Sequence, residues 1–392
     1  MRADRTAIGR WLGVGGGTHR PPRRLLKTRH RHIVAPLAAT LVAGAALGLG
    51  VALARAGGPR RAPRKRRLGL LHDELLTVGL RRMVVEQAEL AVEHLRAVDA
   101  DPQQAVHEAR KAIKRIRTIV RLLEEELGDV ACAREQAALR RAAEGLAAAR
   151  DSEVMLATLD GLCEREPQLA RRKRVMRLRT ELADRRDRAV AAALSPTTLH
   201  AVVTELETLR MRASAWPLRE RKGLATIRPG LKRVYEEGRR RGRRAARARK
   251  DRATAMHKWR KRVKDLRYAA EALSREQDRR SSFPSGKRTR GAAASAEARW
   301  LARLAKRSEA LGELLGEEHD LAVLEAWIEA EGRRAGLGAG SRRALLRAAA
   351  RRRAKLRRRA LAQGRRLYGP SPKAFARRVE RAHRRCSPRR LS

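Results

Sequence analysis

Aromatic residues make up 3% of the chain, too few to furnish the stacking platforms of a single-strand nucleic-acid binder. Ala and Leu are abundant and long segments run without proline, so the preferences favour helices over sheets. Three cysteines, Cys132, Cys163 and Cys386, are odd in number and far apart, with no metal or redox spacing. That excludes a disulfide framework and points to a reducing compartment. Acidic residues are also scarce: 43 Asp plus Glu stand against 94 Lys plus Arg, a net charge of +51. A compact chain with that imbalance repels itself unless something negative sits against it. Polyphosphate, RNA or DNA, and an anionic membrane surface are the partners this implies. Codon bias towards Arg and Ala accounts for part of the excess, but not for where the charges fall.

Catalytic signatures are missing too. No GxxxxGK[ST] phosphate loop occurs, and His107-Glu-Ala-Arg-Lys lacks the second histidine of a zinc HExxH helix. Glu205 and Glu207 resemble paired acidic ligands but lie in a helical-looking stretch with no strand around it. His107, His257, His319, Asp151 and Asp320 have the donor types of a metal cluster. The surrounding cations disfavour a further cation there, so no metal and no cofactor is expected.

What is present is length and pattern. The 392 residues are 43% hydrophobic, enough to bury a sizeable core in two domains or one helical array. Residues 1–32 read as a basic, disordered arm. Residues 33–54 form an uncharged apolar run long enough to span a bilayer, though rich in Ala and Gly. A single-pass anchor and a packed hydrophobic arm are both open readings, and basic flanks on both sides leave orientation undecided. A basic linker occupies 55–68 and a basic disordered tail 381–392. Between them, 69–380 is almost continuous helical pattern. It is punctuated at 99–102, 195–196, 216–217, 228–230, the Ser/Gly/Arg-rich stretch 281–295, 336–340 and 369–370.

This segment repeats itself. Gly79-Leu-Arg-Arg-Met83 returns as Gly230-Leu-Lys-Arg-Val234, and Asp101 before His107 returns as Asp251 before His257. Ala149-Arg-Asp151 with Val154 is echoed by Glu318-His-Asp320 with Val323, and the Gly-to-His spacing changes only from 28 to 27 residues. Order and spacing indicate duplication, with halves at 69–215 and 223–380. Asp101-Pro102-Gln-Gln104 has the form of a capped helix start.

At the heart of each copy is one helix pattern. His107, Arg110, Lys111, Lys114 and Arg117 match His257, Arg260, Lys261, Lys264 and Arg267 in type and offset. At 3.6 residues per turn, 107, 110, 114, 117 and 121 form a cationic stripe beside an apolar one at 106, 109, 113, 116, 120, 123 and 127. The second copy places Met256, Trp259, Val263, Leu266, Ala270 and Leu273 beside its own cations. Such a stripe lies at the edge of the buried face, where two helices from related halves can face one groove. A solvated basic face is the plain alternative for either copy alone. That five positions stay charged in both, while Glu108 becomes Lys258, Arg115 becomes Asp265 and Arg121 becomes Glu271, favours the groove. Arg forks and Lys point charges spaced by a helical turn suit successive phosphates of a flexible polyanion, and binding would weaken steeply with salt. A histidine beside bound phosphate is expected to be protonated, strengthening binding in mild acid.

Taken together, these residues resemble the CHAD family, the conserved-histidine α-helical domain. The resemblance rests on GLRRM at Gly79, HxxRKxxKxxR at His107, AAARD at Ala147 and IRPGLKRVY at Ile227. It continues with MHKWRKRVKDLRY at Met256, LLGEEHDLAVL at Leu314 and GRRLYGPSPKAF at Gly364. It covers about residues 69–380. It implies an all-α fold of two pseudo-symmetric four-helix bundles with long antiparallel helices. It also implies non-enzymatic binding of inorganic polyphosphate on the basic surface between them, in the cytoplasm and at polyphosphate granules. By position, the ligand set is the ten paired residues above. Arg81, Arg82, Arg121, Lys232, Arg233, Arg239 and Arg243 are weaker candidates. A nucleic-acid-associated protein, with nucleic acid as competitor for the site, and an enzyme acting on phosphorylated substrates are the alternatives. The 281–295 insertion and the apolar run 33–54 depart from the family pattern. No strand-rich segment could supply the triphosphate-cleaving tunnel of some relatives.

Overall fold

Asp101 ends one helix connection and starts the next helix in the way its sequence dictates. Its carboxylate accepts the Gln104 backbone N–H at 2.9 Å, and Pro102 occupies the first turn where no N–H is needed. The helix that follows, Pro102–Leu122, buries Val106, Ala109, Ile113, Ile116 and Val120 along one side, with Leu123 just beyond. The structure, a computed structural model, describes residues 68–386 except 72–73, 100, 220–223 and 275–287. The arm, the apolar run 33–54 and the linker up to residue 67 lie outside the described residues, as do 387–392. Among the described residues there are twelve helices and no strand. No single described helix is long and apolar enough to cross a membrane.

The first half comprises α1 (Leu76–Arg96), α2 (Pro102–Leu122), α3 (Glu124–Gly145), α4 (Ala147–Arg165), the one-turn α5 (Pro167–Ala170), α6 (Lys173–Ala193) and α7 (Pro196–Ser214). The second comprises α8 (Arg228–Arg247), α9 (Arg252–Leu273), α10 (Arg288–Glu331), α11 (Ala339–Leu367) and α12 (Pro372–Cys386). In the first half α1, α2, α3 and α7 pack in a ring of neighbours around one core, and α4 pairs with α6. In the second, α8, α9, α10 and α12 pack in the same order, and the far end of the long α10 pairs with α11. The halves meet where α2 crosses α8 and α9 and where α4 lies against α10. Gly230 makes the first crossing tight: a Cβ there would stand 2.5 Å from the Leu122 carbonyl oxygen. Gly128, at φ 76°, breaks α3 near its start in the left-handed region that glycine occupies without strain.

Most of the described aromatics, Trp216 excepted, serve the second core. Trp259 is buried between Gly242 of α8 and Gly364 of α11, which leave space for its ring. Tyr235 stacks on Phe375 at a centroid distance of 3.9 Å and donates to the Pro370 carbonyl at 3.1 Å. Two fully buried carboxylates are held by arginines: Glu135 by Arg212 at 2.7 Å and Arg134 at 3.0 Å, Glu318 by Arg353 at 3.0 Å and Arg357 at 3.4 Å. Cys132 and Cys163 are free thiols.

Three boundaries differ from the expectation. The stretch 281–295 is not a break throughout, because α10 begins at Arg288; Ala292, Ala293 and Ala294 are strong helix formers. The tail expected from 381 is helical to Cys386, where Val379 and Ala382 are still buried. The breaks at Leu123 and Arg172 carry no glycine or proline of their own, and the one at Leu146 has only the adjacent Gly145 to mark it; none was anticipated.

Candidate polyanion-binding site

Helix α2 carries Arg110 and Lys114 to the junction of the halves, α9 carries Arg260 and Lys264, and α4 adds Arg150. These five cations crowd one another. Burial, then Lys264, Arg110, Arg260 and Arg150, hold the Lys114 ammonium well below its ordinary range. Burial and then Arg260 push Lys264 down to about 8, with Asp320 pulling the other way and Arg267 and Arg150 adding to the depression. Two carboxylates share the space, Asp151 of α4 and Asp320 of α10. Burial raises both, opposed first by Arg110 for Asp151 and by Arg260 for Asp320. Arg150 is paired with Glu153 at 2.7 Å, which leaves four positive groups facing two poorly solvated carboxylates. The Arg110 and Arg260 Nε atoms are buried without a hydrogen-bond partner. Gly316 lets Arg260 lie close along α10, since a Cβ there would be 3.3 Å from Nη2.

A pocket of about 520 Å³ opens beside this cluster between α4, α9 and α10. Arg150, Arg260, Lys264 and Arg267 line it; so do Glu309, Glu313 and Asp320, and Arg165 and Arg352, both paired with Glu317. Arg267 is already spoken for, bonded to Glu271 at 2.6 Å and Glu309 at 2.7 Å. Lys111 pairs with Glu108 at 3.0 Å on its own helix, and Arg117 donates to Gln136 at 3.2 Å. Lys261 has an exposed side chain, and partial desolvation, followed by the facing Arg117, lowers its proton affinity.

Both repeat histidines have a lowered proton affinity in the ligand-free protein. His107 is exposed at the start of α2, held below its ordinary value by desolvation and then by Arg150. His257 lies against His319, ring centroids 4.0 Å apart, and is pushed down to about 3 by burial and then by Lys261 and Arg260. In the ligand-free protein His257 therefore stays neutral in mild acid, and only a bound anion beside it would raise its proton affinity. Among the described residues no group of three or more His, Cys, Asp or Glu is placed to hold a metal ion.

Most of the weaker candidates are occupied in holding the fold. Arg81 donates to the Trp216 carbonyl at 2.6 Å, and Arg82 is bonded to Glu74 at 2.6 Å and Glu86 at 3.0 Å. Arg121 pairs with Asp265 at 2.6 Å, Lys232 with Glu236 at 3.6 Å, and Arg233 with Glu124 at 2.5 Å. Arg239 donates to the Tyr368 carbonyl at 3.2 Å. Arg243 alone of the seven is exposed with no such bond shown among the described residues.

Two features escaped the sequence reading. Arg150 belongs to the cluster but comes from a third helix, so no stripe on α2 or α9 could reveal it; its place beside the repeated Asp151 was the available signal. The positions that seemed to drift between copies are complementary. Arg115 meets Glu271 at 3.8 Å, and Arg121 meets Asp265. Positions 115 and 265 correspond, as do 121 and 271, so the two pairs are the same contact made twice across the junction, as in an isologous interface.

Comparison with known proteins agrees with this architecture. The family model of the CHAD domain matches residues 82–281, half of the chain. Two solved structures share the fold. The CHAD domain from the plant Ricinus communis is 19% identical, with 79% of this chain and 97% of that one covered at a TM-score of 0.51. PptA from Streptomyces chartreusis is 18% identical, with 75% of this chain and 100% of that one covered at 0.53. No curated protein matches. With more than half its length matched by that model and its helices arranged as in these structures, the chain belongs to the CHAD domain family.

Proposed function

We propose that the protein binds inorganic polyphosphate, without cleaving it, in the cationic cleft where α2, α4, α9 and α10 meet. The observation that carries this reading is the excess of positive charge: Arg110, Lys114, Arg260 and Lys264, joined by Arg150 with its partner Glu153, crowd around Asp151 and Asp320. A bound anion supplies what is missing and restores the proton affinity of both lysines. A thin, flexible phosphate thread can reach cations set between packed helices; a nucleic-acid duplex is too wide to do so. Single-stranded nucleic acid gains from aromatic stacking, and each described aromatic side chain is buried or half-buried. Membership of the CHAD family and likeness to PptA are consistent with this ligand, as is a place in the cytoplasm at polyphosphate granules.

The test is competition at fixed salt. Polyphosphate should resist displacement by DNA or RNA of equal total charge; equal displacement would reassign the site. The variant Arg110→Glu, Lys114→Glu, Arg260→Glu, Lys264→Glu should lose polyphosphate binding while its helical circular-dichroism signal survives. Retained affinity would move the site elsewhere.

A further inference from the structure

The positive charge is not shared between the halves. Residues 69–215 hold 25 Lys plus Arg against 24 Asp plus Glu, a net of +1. Residues 223–380 hold 45 against 17, a net of +28. The central cleft does not account for this, because α2 and α9 contribute two cations each. The surplus lies elsewhere in the second half.

Part of it forms a track. From the cleft, Lys261 and Lys258 lead back along α9 towards the turn holding Lys250 and Arg249, and Arg247 and Arg244 continue on α8. All six are exposed, and among the described residues none forms an ion pair. The matched positions of the first half are Lys111, Glu108, Asp99, Val98, Arg96 and Glu93. The charge is +6 on one track and −1 on the other. There Lys111 is bound to Glu108 and Arg96 to Glu207 at 2.6 Å, so what positive charge exists is already neutralised. The same backbone thus carries an open cationic path on one side of the cleft and a closed, weakly acidic one on the other. Fold stability does not require this, since the first half packs in the same helix order without it.

We infer that a long polyphosphate leaves the cleft in one direction only, running over Lys261, Lys258 and Lys250 onto the exposed arginines of α8. This rests on the central site being a polyphosphate site and adds the route taken by chains too long for it. The track extends over roughly 20 Å of helix, so short oligomers fill the cleft alone while longer ones gain contacts and released counterions.

The experiment titrates the full chain with a short polyphosphate oligomer and a long polymer at fixed salt. It compares wild type, an α8 variant altered at the end of α8 and in the turn after it (Arg244→Glu, Arg247→Glu, Arg249→Glu), and a first-half control (Arg96→Glu, Arg141→Glu, Arg188→Glu). Circular dichroism reports that each variant is folded. For the α8 variant the expected result is a change of less than about twofold with the oligomer and a loss of about tenfold or more with the polymer. The control, with the same change in net charge, should lose less than about threefold on either. Equal losses in both variants would mean that only overall charge is being felt, and unchanged polymer binding would remove the track; either overturns the inference. So would duplex DNA binding that the α8 variant abolishes while polymer binding is kept. If wild type binds no oligomer, the central-site reading fails first.

Discussion

Replacing Lys264 with Met should make the ligand-free protein more stable. The ammonium sits at the α2–α9 junction facing Lys114 from α2, Arg150 from α4, Arg260 and Arg267 from its own helix, and Asp320 from α10. Its proton affinity is lowered from 10.5 to about 8, principally by burial and Arg260. At 1.36 kcal/mol per pH unit, keeping it charged costs the folded state up to about 3 kcal/mol. Below pH 8 the lysine is protonated both folded and unfolded, and the full cost applies. Between 8 and 10.5 the unfolded chain binds the extra proton, so wild-type stability rises with pH, and above 10.5 the cost is gone. Met keeps most of the apolar stem and removes the charge. Urea denaturation without polyanion, at pH 7 and again near pH 10.5, should show the variant ahead by up to about 3 kcal/mol at the first and by little at the second. A variant less stable than wild type at pH 7 would refute the claim that the cluster is under electrostatic load. Gained stability with lost binding is the signature of a site organised for a ligand rather than for the fold.

Further consequences follow from the same geometry. If only charged Lys264 binds the anion, polyphosphate affinity should fall about tenfold from pH 7 to pH 9, and Lys264→Arg should flatten that profile in fluorescence titrations. Glu135→Ala strands the Arg212 pair in the first core and should cost about 3 kcal/mol in chemical denaturation, with polyphosphate affinity unchanged once folded. Gly230→Ala puts a methyl group against the Leu122 carbonyl oxygen and should cost about 1–3 kcal/mol, read as a lowered melting temperature.

How much of this was legible beforehand depended on the reach of each signal. The α2 helix could be read almost to the residue because its determinants are local: Asp101 caps it, Pro102 starts it, and Val106 to Val120 recur at helical spacing. That Lys114 and Lys264 lie close to one another was legible only through the repetition, from two stripes placed alike beside their apolar faces. The register between helices was out of reach. Arg150 enters from α4, and Arg121 turns to Asp265, because of how α2, α4 and α9 cross, which no single-helix periodicity encodes. The Arg115–Glu271 and Arg121–Asp265 pairs were visible as charge reversals between copies. Their meaning appears once a two-fold relation places each residue opposite the partner of its counterpart. The packing of His257 against His319 was out of reach for the same reason: it depends on α10, not on neighbours in sequence.

The most direct test is a crystal structure of the full chain with a short polyphosphate oligomer. Phosphate oxygens should lie about 3 Å from the side-chain nitrogens of Arg110, Lys114, Arg260 and Lys264, between α2 and α9. Phosphates ordered elsewhere on the surface, with those four side chains left as they stand here, would contradict the account.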